Sequence, residues 1–405
     1  MPIKHIIIIG GGIAGVASAL ALIRLNKISC SVFEIRSEPT TIGGAINLTP
    51  NALRYLDYLR VLPRLLRKGC EVYHIDVISQ RTGANLGRID FDKVEKFKHR
   101  ALRILRADLL EALLEELEES GVKVQYSKRI ESVLERDDGV EATFDDGTTV
   151  VGDMLLGCDG IHSSVRMNFV QPERKPVYTG IAVTYGFLSA GGLSELLPFD
   201  STAAIFGRFG TFLMSFYTVD KSQLYISVVT ETKDVGSREG CLVKGSDQDA
   251  LKDDILRRFA GSAMPCLETG MQKVDSWVLY PVFKLPPHGV WHSGRLLLLG
   301  DAAHAMPPQG ESVGLVLEDV VFFSRLVSHH KGKAVSRIFQ GYDSLRRARI
   351  DAVYKEATFR WETARDRGWL MTVIMEWMMW IFIRLMAGTK ERDFQFDVRD
   401  IELPN

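Results

Sequence analysis

Gly10, Gly12 and Gly15 stand in G-x-G-x-x-G spacing directly after four consecutive isoleucines, Ile6 to Ile9. That junction constrains the fold more than any other feature of the chain. A short, bounded run of β-branched residues reads as a parallel strand buried on both faces. Val16, Leu20 and Ile23 follow at helical spacing, and a second strand is expected over Ser29 to Ile35, with Glu34 nineteen residues after Gly15. Glycine triplets alone are weak signals; the complete strand–helix–strand–acid order is specific. Gly10 allows the tight turn, Gly12 admits a pyrophosphate to the backbone, and Gly15 lets the helix sit close on the strand. The helix amino terminus offers unpaired N–H groups to that pyrophosphate. Glu34 suits a ribose 2′-hydroxyl and repels a 2′-phosphate, so this site reads as one for FAD or NAD.

Further along, Ile42 to Asn51 is a Gly- and Pro-containing connection, and Leu105 to Ser120 is an amphipathic helix striped by Leu109, Leu110, Leu113, Leu114 and Leu117. Short alternating strands are expected over Val122–Tyr126, Ile130–Glu135 and Val140–Phe144, with an Asp146-Gly147 turn into Thr148–Val151. Met154 to Cys158 is another buried strand that ends at Asp159-Gly160. The stretch from Tyr178 to Thr230 is strand-rich and reads as an antiparallel second lobe, followed by a helix over Asp247 to Phe259. Arg295 to Leu299 is a strand that ends at Gly300-Asp301, ahead of Pro307-Pro308 and a helix from about Gly314 to Leu326. A carboxylate just past a parallel strand is a common ligand position in open α/β sheets.

Basic and acidic side chains balance at 50 against 51 over 405 residues, which leaves no field to hold nucleic acid. The cysteines at 30, 70, 158, 241 and 266 match no metal spacing, so no metal site is expected; buried thiols in a reducing, cytoplasmic setting are. Residues 369–387, "WLMTVIMEWMMWIFIRLMA", approach the about 20 apolar residues of a spanning helix, but Glu376 and Arg384 interrupt them. A packed terminal helix, or one resting on a membrane surface through Trp377 and Trp380, is the expectation.

Three motifs, in order, carry a family resemblance. They are Gly10-x-Gly12-x-x-Gly15 with Glu34 and Arg36, Asp159-Gly160-x-x-Ser163-x-x-Arg166, and Gly300-Asp301-Ala302-Ala303-His304 with Pro307-Pro308. "YDSLRRARI" at 342–350 adds to them. With these the chain resembles the single-component FAD-dependent monooxygenases of the p-hydroxybenzoate hydroxylase type, near the salicylate-hydroxylase-like and fungal biosynthetic members. The resemblance implies an α/β fold with a Rossmann-like FAD-binding lobe, a mostly antiparallel β-sheet substrate lobe and a C-terminal helical segment. It places FAD binding in 1–75, 100–175 and 282–345, substrate binding in 76–99 and 176–281, and helices in 346–405 that cover one edge, with extension of the substrate cavity as a further expectation. Gly10, Gly12, Ile13, Ala14, Gly15, Glu34, Ile35 and Arg36 would hold the ADP half of a non-covalent FAD. Gly44 and Ala45 would flank the isoalloxazine, Arg106, Asp159 and Arg166 would lie beside the cofactor, Asp301 would bind the ribityl chain, and Pro308, Gly310 and Gly314 would form the loop at the ring. That loop reads Gly310-Glu311-Ser312-Val313-Gly314 where many members have G-Q-G, so Glu311 brings an extra negative charge.

The implied chemistry is reduction of FAD by NADPH or NADH, then transfer of one atom of O2 to an electron-rich carbon through a flavin hydroperoxide. Tyr217 on a substrate-lobe strand and His304 in the third motif are the candidate catalytic side chains, with His99 an outlying third. Leu213 stands where some members carry a relay histidine, which points away from a simple hydroxybenzoate hydroxylase. The expected substrate is a small apolar aromatic, prenylated or polyketide-like molecule of secondary metabolism. Epoxidation of an alkene by the same chemistry, a non-catalytic flavin-binding protein, and an NAD-linked dehydrogenase are the alternatives, the last leaving two motifs unexplained.

Overall fold

The computed structural model describes residues 2–232, 245–308, 310–362 and 365–403, and the cysteine at 241 lies outside them. Ile6 to Ile9 are at most 5% exposed and form the middle of a six-stranded sheet. Its strand order is His292–Ser293, Leu296–Leu298, Met154–Gly157, His5–Ile9, Ser29–Phe33 and Val124–Gln125. All neighbours run parallel except the first pair. Continuous apolar runs are what a doubly covered parallel strand requires. The helix Ile13–Ala21 lies against one side, its first turn uncapped by any side chain. Because the strands are parallel, their carboxyl ends share one edge. Gly10, Cys158-Asp159 and Gly300-Asp301 leave the sheet together there, so motifs more than a hundred residues apart in sequence become neighbours.

The second lobe is a seven-stranded sheet ordered Val278–Lys284, Val177–Ser189, Gln223–Glu231, Gly210–Phe216, Thr202–Gly207, His74–Ser79 and Asn85–Asp90. Only the junction of Thr202–Gly207 with His74–Ser79 is parallel. Alternation sorts its two faces. Phe212, Met214, Leu224, Ile226 and Val228 pack under the helices Gln248–Phe259 and Pro265–Lys273. Tyr185, Phe187, Leu213, Tyr217 and Tyr225 point the other way and gather around Ala45 of the first lobe.

A small sheet joins the lobes. Ala45–Leu48 and Cys70–Val72 pair antiparallel with the two edges of Ala101–Leu105. The amphipathic helix spans Arg106–Glu119, and the helix after the third motif starts two residues early and runs longer, Ser312–His329. The strand expected over Val122–Tyr126 shortens to Val124–Gln125 at the sheet edge. The boundary placed at 346 falls inside one continuous helix, Val335–Glu362. In the C-terminal segment, Trp369–Gln395 lies along the outer strand Asn85–Asp90, with Ile383 against Gly87, while Trp361 packs on Ile181 and Val282 of the substrate lobe. Arg54 fixes the end of that helix by donating to the carbonyls of Phe394 (2.7 Å) and Phe396 (3.1 Å).

A candidate flavin and substrate site between two lobes

Glycine is obligatory at two fingerprint positions and permissive at a third. A Cβ on Gly15 would lie 1.9 Å from the Gly10 carbonyl oxygen, and one on Gly10, whose φ is +117°, would lie 2.4 Å from that of Cys158. A Cβ on Gly12 would meet no protein atom within 4 Å, so that space is open for a ligand beside the helix terminus. Glu34 is tied to this turn: its carboxylate accepts from the Gly11 N–H (2.7 Å) and the Arg36 N–H (3.0 Å). Ile35 and Arg36 are exposed, and Arg36 donates to the Thr40 carbonyl at 2.6 Å. Ile13 and Ala14 open the helix. These features fit a dinucleotide cofactor.

The flavin loop is held from both ends. Arg106 donates its side-chain Nε to Thr41 Oγ1 (2.9 Å) and its backbone N–H to the Gly44 carbonyl (3.1 Å). Gly44 has no room for a side chain, since a Cβ would lie 2.2 Å from the Tyr225 ring. The Gly43 backbone reaches the Tyr185 hydroxyl. The backbone of 43–45 is thus presented to the aromatic face of the substrate lobe.

Asp159 and Asp301 are placed differently. Asp159 accepts from the Val165 N–H (3.1 Å), and burial pushes its carboxyl above the ordinary range. Asp301 is exposed and makes no hydrogen bond or ion pair among the described residues, leaving its carboxylate available to a ligand. The structure changes the reading of Arg166. It is 0% exposed, and its guanidinium donates to three backbone carbonyls: Arg174 (3.1 Å), Ala302 (3.0 Å) and Ile161 (2.6 Å). Arg174 donates in turn to Ala303 O at 2.7 Å. These arginines staple the second motif to the third instead of facing a cofactor.

His304 is likewise a positioning residue. Its Nε2 lies 2.7 Å from Asp319 Oδ2, which also accepts from the Gly300 N–H (3.1 Å), and its ring meets Trp291 edge-on inside the flavin-lobe core. Arg346 donates to Asp319 Oδ1 (2.8 Å) and Glu318 Oε2 (2.8 Å), and Arg349 also holds Glu318 (3.0 Å). Burial works against the charged form of Asp319, yet His304 and Arg346 hold its carboxyl well below the ordinary range. This network sets the Gly300 turn, whose φ is +59°. Sequence reading passed over it, although an acid pair inside the apolar run "LVLEDVVFF" was the available signal.

The loop from 308 is clamped from the C-terminal helices. The Pro308 carbonyl accepts from Trp361 Nε1 (2.5 Å), and the carboxylate of Glu311 pairs with Lys390 Nζ at 2.9 Å. The extra negative charge expected at Glu311 is therefore offset within the fold. Gly310 has φ +82°, and Gly314 packs under Asn51, whose amide nitrogen would lie 3.0 Å from an added Cβ. Tyr217 sits in the aromatic cluster, edge-on to Phe187 at 5.4 Å, and burial raises its phenol above the ordinary range. Leu213 shares that cluster. His99 is elsewhere, near Asp57 at 3.5 Å.

The chain belongs to the FAD binding domain family, whose model matches residues 4–189 and 288–357, and it is an FAD-dependent monooxygenase of the aromatic hydroxylase kind. Over 380 residues it is 30% identical to 3-amino-4-hydroxybenzoate 2-monooxygenase PtmB3 of Streptomyces platensis, covering 90% of this chain and 87% of that protein. Over 384 residues it is 29% identical to a salicylate hydroxylase of Pseudomonas putida, covering 88% and 84% respectively. Klebsiella pneumoniae HpxO, solved with FAD and uric acid, shares the fold with a TM-score of 0.83 at 23% identity, over 96% of each chain. FAD is the cofactor. No helix among the described residues is long and apolar enough to cross a membrane.

Proposed function

We propose that this enzyme transfers one oxygen atom from O2 to an aromatic small molecule lying between the flavin loop and the tyrosine-rich face of the substrate lobe. The observation that carries this reading is the meeting of Ala45 with Tyr185, Phe187, Tyr217 and Tyr225 in one cluster. Bound FAD supplies the redox chemistry, with NADPH or NADH as reductant. Gly10, Gly12, Ile13, Ala14, Gly15, Glu34, Ile35 and Arg36 would hold its ADP half, and Asp301 its ribityl chain. Gly44, Ala45, Arg106, Asp159, Pro308, Gly310 and Gly314 would border the ring system.

The aromatic walls orient a flat substrate by edge and face contacts and exclude water from the reacting carbon. Because burial raises the Tyr217 phenol, it is protonated at neutral pH and serves as a hydrogen-bond partner to a substrate hydroxyl, not as an ionised base. The first turn of Ser312–His329 points a positive dipole end at the flavin loop, where it favours negative charge. The apolar walls support an aromatic or polyketide-like substrate of secondary metabolism, and the same walls would suit an alkene for epoxidation. The outward face of Trp369–Gln395 supports peripheral membrane contact.

The test begins with the visible spectrum of the purified protein. NADPH and NADH oxidation in air then follows with phenols, indoles and prenylated alkenes. A flavin spectrum, with oxidation stimulated by one compound that gains one oxygen atom, is the expected outcome. A colourless protein that FAD cannot reconstitute would sink the reading.

A further inference from the structure

Glu311 occupies the N-cap of Ser312–His329, the helix whose positive end points at the flavin loop, yet its side chain does not cap that helix. An acid in this place ordinarily folds back on the N–H groups of the first turn and cancels part of the dipole end. Here the Glu311 backbone carbonyl accepts from the Leu315 N–H (3.0 Å), while its carboxylate turns away and accepts from Lys390 Nζ (2.9 Å). Glu311 is only 8% exposed, so water is no substitute partner. Its carboxylate has a choice between the ammonium and its own helix start.

Lys390 reaches the loop from the C-terminal helix, and the fold holds it there. Arg54 and Arg349 pin that end of Trp369–Gln395, through the Phe394 carbonyl (2.7 Å) and Asp393 Oδ1 (3.3 Å). Lys390 Nζ also meets Glu356 Oε1 at 3.1 Å and Asp393 Oδ2 at 3.6 Å. Burial works against its charge, yet Glu311 and Glu356 hold the ammonium above the ordinary range. Glu356 and Asp393 have second cations, Arg360 and Arg349. Glu311 has Lys390 as its one ion-pair partner among the described residues. Without that ammonium, Glu311 would face two like charges, and the helix start would be the partner left to it.

We propose that Lys390 is a positioning residue for the flavin site: by holding the Glu311 carboxylate off the start of Ser312–His329, it keeps that helix terminus free for the flavin, an inference that rests on the FAD site read above. A carboxylate returned to the terminus would neutralise the dipole end and set a like charge against the electron-rich, reduced form of FAD. The oxidised form would feel this less. The role therefore shows in the flavin potential, which a loss of packing alone would not move in a charge-dependent way.

The experiment measures FAD binding to the apoprotein and the two-electron midpoint potential of the FAD-loaded enzyme, neither of which needs a substrate. Lys390→Met should bind reduced FAD about tenfold less tightly relative to oxidised FAD, which lowers the midpoint potential by about 30 mV. Lys390→Arg should keep the wild-type potential. In the Glu311→Gln background, Lys390→Met should leave the potential where it is, because no carboxylate remains to return. Glu311→Gln alone should also leave it, since the wild-type carboxylate is already held away. An equal fall in both backgrounds overturns the proposal, because Lys390 would then act through its own charge. So does an unchanged potential in Lys390→Met, or a rise in Glu311→Gln, which would put the wild-type carboxylate on the terminus already. If Lys390→Met does not fold, Lys390→Gln takes its place; it keeps a donor without the charge and should give about a threefold change, half the free energy. A wild type that takes up no FAD removes the flavin reading and the proposal with it, whereas unchanged potentials in FAD-loaded variants remove the proposal alone.

Discussion

Arg346 and Arg103 are both buried arginines, and the fold treats them in opposite ways. Arg346, at 0% exposure, is held by Asp319 and Glu318, which are themselves fully buried. Arg103 has no carboxylate within ion-pair distance among the described residues. A compensated charge belongs to the scaffold: it fixes the Gly300 turn and, through His304, the third motif. An uncompensated one is maintained against its desolvation cost.

The largest effect should come from cutting the compensated network. Arg346→Met removes the one cation that Glu318 and Asp319 share and leaves them to Arg349 and His304 alone, and about 3–5 kcal/mol of stability should go with it. Arg103→Met removes a lone buried charge and should be neutral or stabilising. Urea denaturation of the two variants checks the contrast. Equal losses would mean that Arg103 has a structural partner, and the distinction would fail.

Acid sharpens the same comparison with a smaller effect. The Asp319 carboxyl drops from its ordinary 3.8 to about 2 in the fold, burial being outweighed by His304 and Arg346. Its folded value lies below its unfolded one. The stability it contributes is therefore complete above about pH 4 and is lost as pH falls toward 2, about 2 kcal/mol in all. The midpoint of urea unfolding should stay level through neutral pH and fall across that window. Asp319→Asn should be less stable at neutral pH, and its midpoint should fall less across the window.

Much of the flavin side was legible because glycine geometry and strand order are local. The Gly10–Gly15 turn, the position of Glu34 and the strand before Asp301 are set within a few residues, and the sequence spells them out. Roles that depend on side-chain direction across the fold were not. In sequence Arg166 reads as a cofactor contact, but its donors end on carbonyls up to 136 residues away. His304 reads as a candidate for proton transfer, but it is spent on Asp319. Arg103 is one charged residue in "ALRIL", and nothing in that pentapeptide says whether a carboxylate waits across the sheet. Spacing fixes which face a side chain takes; only tertiary packing fixes what it meets.

The smallest effect on stability is expected on the far side of the molecule, where the charge logic is inverted. In Trp369–Gln395 one of the two charges that interrupt the apolar run, Glu376, is buried against the protein, while Arg384 stays exposed and stacks on Trp380 at 4.0 Å. Glu376 accepts from Ser79 Oγ (2.6 Å) and Arg81 Nη2 (2.6 Å), and Arg384 donates to the Leu86 carbonyl (3.2 Å). The apolar residues turn outward: Leu370, Trp377 and Leu385 are 66%, 65% and 76% exposed. A contiguous apolar face with interfacial tryptophans suits the headgroup layer of a bilayer. Trp377→Ser with Leu385→Ser removes little buried area, so the unfolding free energy should change by only about 0.5 kcal/mol. Recovery with phosphatidylcholine–phosphatidylglycerol vesicles in a flotation assay should nevertheless drop several-fold. Wild-type protein that does not float, and runs as a dimer dissociated by the double substitution, would assign this face to a second copy of the chain.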